Sequence, residues 1–155
     1  MFYENLRALA AWSLAKDGTI LLPWGSDRTV LPLVSGEDVA RVAAGVLTSP
    51  VVTPGSSYPV VGDVLALGDI VTTFSRVLER EVRYQEIPDQ LWHDGALARG
   101  FNQHAVEHLS QLWRTLRTNP TAVEVTDTIE TLGGRKPKTF EEFVREERSA
   151  FSSGV

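Results

Sequence analysis

The chain has no cysteine in its 155 residues. Disulfide cross-links and thiolate-bound zinc are therefore excluded. It has no apolar run approaching the roughly 20 residues a membrane span needs. Glu4 and Arg7 interrupt the N-terminus and no apolar stretch follows, so it does not read as a secretory signal, and the chain is assigned to the cytoplasm. It has no basic stripe: the net charge is −5 and the lysines and arginines are scattered, which argues against a nucleic-acid partner. It has no Gly-x-Gly-x-x-Gly turn after a strand, so no dinucleotide phosphate cradle is encoded. Gly133-Gly134-Arg135 does not replace it, because no strand leads into it and no Lys-Ser/Thr follows. There is no internal repeat and no low-complexity segment.

What is present is ordinary for a soluble globular protein: 43% hydrophobic and 23% charged residues, enough for one domain spanning 1–155. Leu6, Leu9, Ala10 and Leu14 recur at helical spacing, so residues 3–16 form a helix closed by Gly18. A short apolar strand follows at 19–22, a turn at 23–27, and a strand at 30–34 whose Pro32 argues for an edge. Ser35 and Asp38 look like a capping box for a helix whose apolar face is Val39, Val42, Ala43, Val46 and Leu47. Glu37 and Asp38 suit the positive end of its dipole. A loop at 49–57, a strand at 58–61, a helix at 67–79 and a half-exposed strand at 82–87 come next.

Residues 88–95 suggest a helical turn. Residues 101–117 form the strongest helix, with Ala105, Leu109, Leu112, Trp113 and Leu116 on one side. Asn119-Pro120 marks a break, a helix follows at 121–132, and Gly133-Gly134 ends it. Thr139 to Glu142 is a capping box for a last helix reaching about Ser149, and 152–155 should fray. Helices outnumber strands, and the order gives no continuous alternating sheet. The fold class is α/β, mixed and helix-rich with a few short strands, as in a peripheral substrate lobe.

Two groups of residues invite chemistry. His104-Ala105-Val106-Glu107-His108 spells H-x-x-E-H, which on a helix sets two histidines on one face for zinc, with Glu107 to activate water. That would make a zinc hydrolase. The motif needs a third protein ligand downstream, and no recognisable one follows, so the metal assignment is none and the pair is read as flanking a core helix. Trp24, Trp92 and Phe101 are candidate substrate-binding residues, since such pockets are walled by aromatics with few polar groups. Trp113 is assigned to the core.

Four segments in order resemble the C-terminal part of NmrA-like proteins, an atypical branch of the short-chain dehydrogenase/reductase superfamily. They are Phe2-Tyr3-Glu4-Asn5-Leu6, Val34 to Arg41, Tyr58-Pro59-Val60-Val61-Gly62 leading to Leu67 and Ile70, and Leu132 to Pro137 followed by Thr139 to Phe143. One departure is Glu79-Arg80, where the family usually has Gly-Arg and a helix stop. The resemblance covers almost the whole chain and implies the substrate-side portion of a Rossmann-type oxidoreductase without its N-terminal nucleotide-binding half. It places Phe2, Tyr3 and Asn5 beside the nicotinamide of NAD(P). Bottom-up, Phe2 and Tyr3 pack and Asn5 caps the first helix equally well.

The Tyr-x-x-x-Lys pair of ordinary short-chain dehydrogenases is missing: Arg7, Gly62 and Pro88 stand four residues after Tyr3, Tyr58 and Tyr84. The catalytic residue is therefore unknown. The resemblance implies hydride transfer to a small carbonyl, quinone or imine, with NAD(P) in the full-length family and none bound by this chain alone. A non-catalytic dinucleotide-sensing or protein-interaction module is the alternative. A small-molecule substrate and a homo-oligomer are the expected partners. Tyr3, Trp24 and Trp92 are expected to converge on one cleft.

Overall fold

The computed structural model describes residues 1–50, 55–118 and 123–152. Helix α1 (Glu4–Asp17) buries Leu6, Leu9, Ala10, Ser13 and Leu14 and ends at Gly18, which adopts φ +72 and donates its N–H to the Leu14 carbonyl. A Cβ at Gly18 would stand 3.0 Å from the Glu81 carbonyl oxygen, so glycine is needed both for the left-handed turn and for the close approach. The chain reverses there into β1 (Thr19–Leu22), which pairs in parallel with β4 (Arg83–Glu86), Thr19 opposite Arg83 and Leu22 opposite Glu86. Strand β2 (Val30–Leu33) pairs antiparallel with β3 (Asp63–Ala66). A single parallel bridge joins Phe2 to Val34. The described strands thus form two separate pairs between helices, a mixed, helix-rich α/β fold.

Helix α2 (Gly36–Thr48) starts at Ser35, whose Oγ accepts from the Asp38 amide at 3.0 Å. The return bond of a capping box is absent. The Glu4 carboxylate takes the Gly36 amide instead, and Asp38 turns to Arg41 and to the Lys138 amide at 2.9 Å. The remaining helices are α3 (Leu67–Leu78), α4 (Asp89–Ala98), α5 (Gln103–Thr118), α6 (Thr128–Gly133), α7 (Phe140–Glu146) and α8 (Arg148–Phe151). Thr139 and Glu142 do form the reciprocal capping box at α7. α6 lies against α2 at Gly45, where a Cβ would fall 1.9 Å from the Leu132 carbonyl oxygen.

Several expected elements differ. Residues 58–61 form no strand. Pro59 lacks an amide, and the backbone there is bonded to Thr126: the Thr126 amide donates to Val61 O at 3.3 Å and its hydroxyl to Pro59 O at 2.9 Å. The strand forms at β3 instead. Of the helix expected at 121–132, only α6 exists; residues 123–126 are irregular, in keeping with the β-branched Val123, Val125 and Thr126. The expected turn at 88–95 extends to a full helix, and the last helix breaks at Glu147. On α5 the buried residues are Val106, Ser110 and Trp113, while Leu112 is 38% exposed, so its packed face is rotated from the expected one. Parts of the expected loop at 49–57, the Asn119-Pro120 break and most of the 152–155 tail lie outside the described residues.

The main core cluster has two aromatic centres, and a smaller cluster of Val34, Val42 and Ile129 lies apart from it. In one, Tyr3, Phe74, Phe140, Phe143 and Phe151 pack with ring centroids from 4.9 to 6.3 Å apart. In the other, Trp113 meets Trp92 edge-on at 4.0 Å and Trp24 at 6.1 Å. Pairs of this kind contribute roughly 0.5–1.5 kcal/mol beyond their area burial. Tyr84 links this second centre to the parallel strands. Its hydroxyl donates to Leu22 O at 2.7 Å and accepts from the Trp24 amide at 3.0 Å.

The turn after α3 gives the first expected outcome. Glu79 occupies the left-handed cap position, φ 56 and ψ 37, where glycine is the unstrained residue. A side chain there costs roughly 1–2 kcal/mol, partly offset by the greater unfolded-state freedom of glycine, about 0.5–1 kcal/mol. The exposed Glu79–Arg148 ion pair at 2.9 Å adds little. Glu79→Gly should therefore raise the unfolding free energy by up to about 1 kcal/mol. Gly45→Ala, by contrast, should lower it by about 3 kcal/mol or more, because backbone must move. Urea midpoints of the two variants measure this, and a Glu79→Gly chain clearly less stable than the parent contradicts the argument.

Tyr84 gives the second. Burial pushes its pKa up to about 12 from an ordinary value of 10.0. A folded-state pKa above the unfolded one stabilises the fold at all pH values below the unfolded pKa, and that contribution is lost as pH rises from about 10 to about 12. Unfolding followed across this window should show stability falling, and Tyr84→Phe should make the fall shallower. An identical profile for the variant would show that Tyr84 does not carry the effect.

Candidate acceptor site

In open α/β sheets ligands bind outside the carboxyl ends of the parallel strands. Here β1 runs out into Pro23-Trp24-Gly25 and β4 into Ile87-Pro88-Asp89. A cavity of about 450 Å³ lies at this end, lined by Glu86, Ile87, Pro88, Asp89 and Arg117. Arg117 reaches it from the last turn of α5. Its guanidinium donates to the Pro23 carbonyl and, at 2.8 Å, to Asp89 Oδ2, which Arg114 Nε also approaches at 3.3 Å. One arginine therefore bonds to the ends of both parallel strands, and its planar fork suits that task better than a lysine would. Gly25, with φ +88, lets the turn pass close to the Arg117 stem, which would stand 3.3 Å from a Cβ there. Asp89 lies between two cations, whereas Glu86 is exposed and has no ion pair among the described residues.

Trp24, in the turn that leaves β1, and Trp92, on α4, are both buried and packed on Trp113, and neither lines the cavity. All three indole N–H groups are buried without a hydrogen-bond partner. A buried unpaired donor costs about 1–3 kcal/mol, so this aromatic cluster is retained against a penalty. Phe101 is half-buried against the same core, and its ring lies 6.0 Å from the Arg99 guanidinium. The structure thus brings Trp24 and Trp92 together through Trp113.

It places Tyr3 in the other aromatic centre, stacked on Phe143 at 5.3 Å, with its hydroxyl donating to Asp63 Oδ2 at 2.6 Å. Burial, and next the Asp63 carboxylate, push its ionisation far above that of a free tyrosine, so it is a structural donor at neutral pH. Phe2 is 42% exposed beside the Val34 bridge, and Asn5 is half-buried with no side-chain hydrogen bond among the described residues. Of the three residues assigned to the nicotinamide, Phe2 and Asn5 thus keep free surface.

Nothing in the composition singled out Arg117, Asp89 or Glu86. The available signal was positional: Pro88-Asp89 directly follows a strand, so it marks a strand's carboxyl end. His104 and His108 are exposed on α5, and among the described residues no group of three potential ligands assembles around a metal position. A second cavity, of about 460 Å³, lies between α2 and the 135–138 segment. Its Arg41 is bonded to Asp38 and to the carbonyls of Gly133, Arg135 and Lys136, while Arg135 and Lys138 pair with Glu37. Those charges balance one another and fasten the segment to α2.

The profile of the NmrA-like family matches residues 1–144. An NAD(P)H azoreductase from Xenophilus azovorans is 26% identical over 153 residues, covering 98% of this chain and 52% of that protein. Among solved structures, an NADPH-dependent quinone oxidoreductase from Escherichia coli superposes with a TM-score of 0.79 at 18% identity, over 94% of this chain and 52% of the other. The triphenylmethane reductase of Citrobacter sp., in complex with NADP(H), gives 0.72 at 20% identity, over 92% and 47%. The chain spans about half the length of the relatives it matches. No helix among the described residues is long and apolar enough to cross a membrane. On the family match over most of its length, the chain belongs to the NmrA-like family.

Proposed function

We propose that this chain is the acceptor-side portion of an NAD(P)-dependent oxidoreductase acting on a small carbonyl, quinone or imine compound. The observation that carries this is the cavity at the carboxyl ends of the parallel pair, bordered by Arg117, which holds the Pro23 carbonyl and Asp89. The reduced cofactor would supply the hydride. The residues here do not fit its phosphates, because no glycine-rich turn follows a strand, so this chain is read as incompetent by itself. Its own contribution is to hold and desolvate the acceptor. The apolar Ile87 and Pro88 would pack against the acceptor, and Arg117 would offer a fixed cation to an oxygen that gains negative charge on reduction. Phe2 and Asn5 would face the nicotinamide. Self-association belongs to the same reading, since two-stranded pairs leave outer edges without a strand neighbour.

Two measurements separate the parts of this reading. Calorimetric titration of the chain with NADH and NADPH should give no saturable binding, and a micromolar dissociation constant for either contradicts its incompetence. Menadione, a small quinone, should quench tryptophan emission saturably, because Trp24 directly follows Pro23, which Arg117 holds, and Trp92 lies one helical turn beyond the lining residue Asp89. Arg117→Ala should weaken that quenching by about tenfold, the equivalent of one charge-assisted hydrogen bond. Quenching indifferent to this substitution removes the cavity from the proposal.

A further inference from the structure

Two exposed aromatic side chains, Phe2 and Trp12, belong neither to the core nor to the acceptor cavity, and Trp12 is the more exposed. Trp12 stands on the outward side of α1, 58% exposed, while the inward side carries Leu6, Leu9, Ala10 and Leu14. It is flanked by cations. Lys16 Nζ lies 5.2 Å from its ring centroid, and the Arg99 guanidinium lies 5.8 Å from it and 6.0 Å from the ring of Phe101. Three elements converge here: the last turns of α1, the C-terminal end of α4, and the turn before α5.

The charges make the patch unusual. Acids outnumber bases 20 to 15 in this chain, and most arginines elsewhere are bonded to carboxylates, while Arg80 donates to backbone carbonyls. Neither Lys16 nor Arg99 has a carboxylate within ion-pair distance among the described residues. They rest against aromatic rings instead, with their donors open to solvent. Tryptophan and arginine are the residue types that most often carry binding energy at interfaces, and an exposed, pre-oriented pair loses little side-chain freedom on binding.

We propose that Trp12, Lys16, Arg99 and Phe101 form a docking surface for an acidic peptide segment of a partner protein. Carboxylates of the segment would pair with Lys16 and Arg99, and an apolar neighbour would cover the ring of Trp12. Charge complementarity selects this occupant. A two-fold dimer through the same patch would set Lys16 and Arg99 against their own copies, and like charges facing one another are repulsive. Two cations on a chain of net charge −5 are too few for a nucleic-acid backbone. The inference does not depend on the acceptor cavity.

The test is fluorescence anisotropy of the intact chain with a short labelled peptide of repeating Glu-Asp-Leu-Phe, and with its Gln-Asn-Leu-Phe counterpart. The acidic peptide should bind saturably and lose affinity with added salt, and the neutral one should bind about tenfold more weakly or not at all. Trp12→Ala and Arg99→Glu should each weaken the acidic peptide by about tenfold or more. Both side chains are exposed, so the variants should keep the parent circular dichroism. Lys136→Glu, an exposed change elsewhere, should leave binding unaltered. Equal binding of both peptides, no saturation, or indifference to Trp12→Ala and Arg99→Glu overturns the proposal. So does a dimer in sedimentation that Trp12→Ala abolishes, because the occupant is then a second copy.

Discussion

The carboxylate of Asp63 joins parts of the chain far apart in sequence. Its Oδ2 accepts from the Tyr3 hydroxyl at 2.6 Å and from the Phe140 amide at 2.8 Å, so the first residues, the start of β3 and the first turn of α7 meet at one atom. A carboxylate in this setting is tolerable only because charge-assisted hydrogen bonds replace the lost water. The bonds in turn fix the rings. Tyr3 lies on Phe143, Phe140 on Phe74, and Phe151 closes the group. This node sets how α1, α3, α7 and α8 pack, and thus where the N-terminal segment runs along β2. The Met1 amino group donates to Pro32 O at 2.6 Å, the Tyr3 amide to Val34 O at 2.9 Å, and the Val34 amide to Met1 O at 3.0 Å.

The second centre is built differently. It has aromatic packing without polar satisfaction: three indole N–H groups are buried and unpaired. What fastens it is its rim. Tyr84 bonds to both Leu22 and Trp24, and Arg117 to both Pro23 and Asp89. The two strands of the parallel pair are therefore tied at their carboxyl ends by side chains, just where a doubly wound fold presents ligands. A rigid rim around a roomy cavity is the arrangement expected of an acceptor site, whereas the balanced charges at Arg41 and Glu37 form a fastening.

Much of the fold was legible because it rests on local rules. Gly18 announced the end of α1, Ser35 and Thr139 announced helix starts, and the apolar face of 67–79 announced α3. Two of the misreadings share one cause: a group found a partner distant in sequence. Residues 58–61 had the composition of a strand and were claimed by Thr126. Asp38 had the spacing of a capping box and was claimed by Arg41 and Lys138. The Glu79 turn shows the opposite case. A glutamate stands where the family usually has glycine, yet the left-handed geometry persists, because the packing on either side determines the turn.

For the site, sequence identified aromatic residues by their loop-like surroundings but carried no information about depth. Trp24, in a turn, was a candidate pocket residue and is buried against Trp113. Trp12, on a regular helix, drew no attention and is the most exposed tryptophan for which the structure gives a value above half. Residues 1–155 by themselves determined the family, the helix-rich α/β class, the absence of a phosphate cradle and most helix boundaries, since each follows from residue type and short spacing. Only the tertiary structure decided that Tyr3 serves Asp63, that Arg117 joins the two strand ends, and that Lys16 and Arg99 face one tryptophan. Those facts depend on contacts across tens of residues, which burial and charge compensation select and local spacing does not encode.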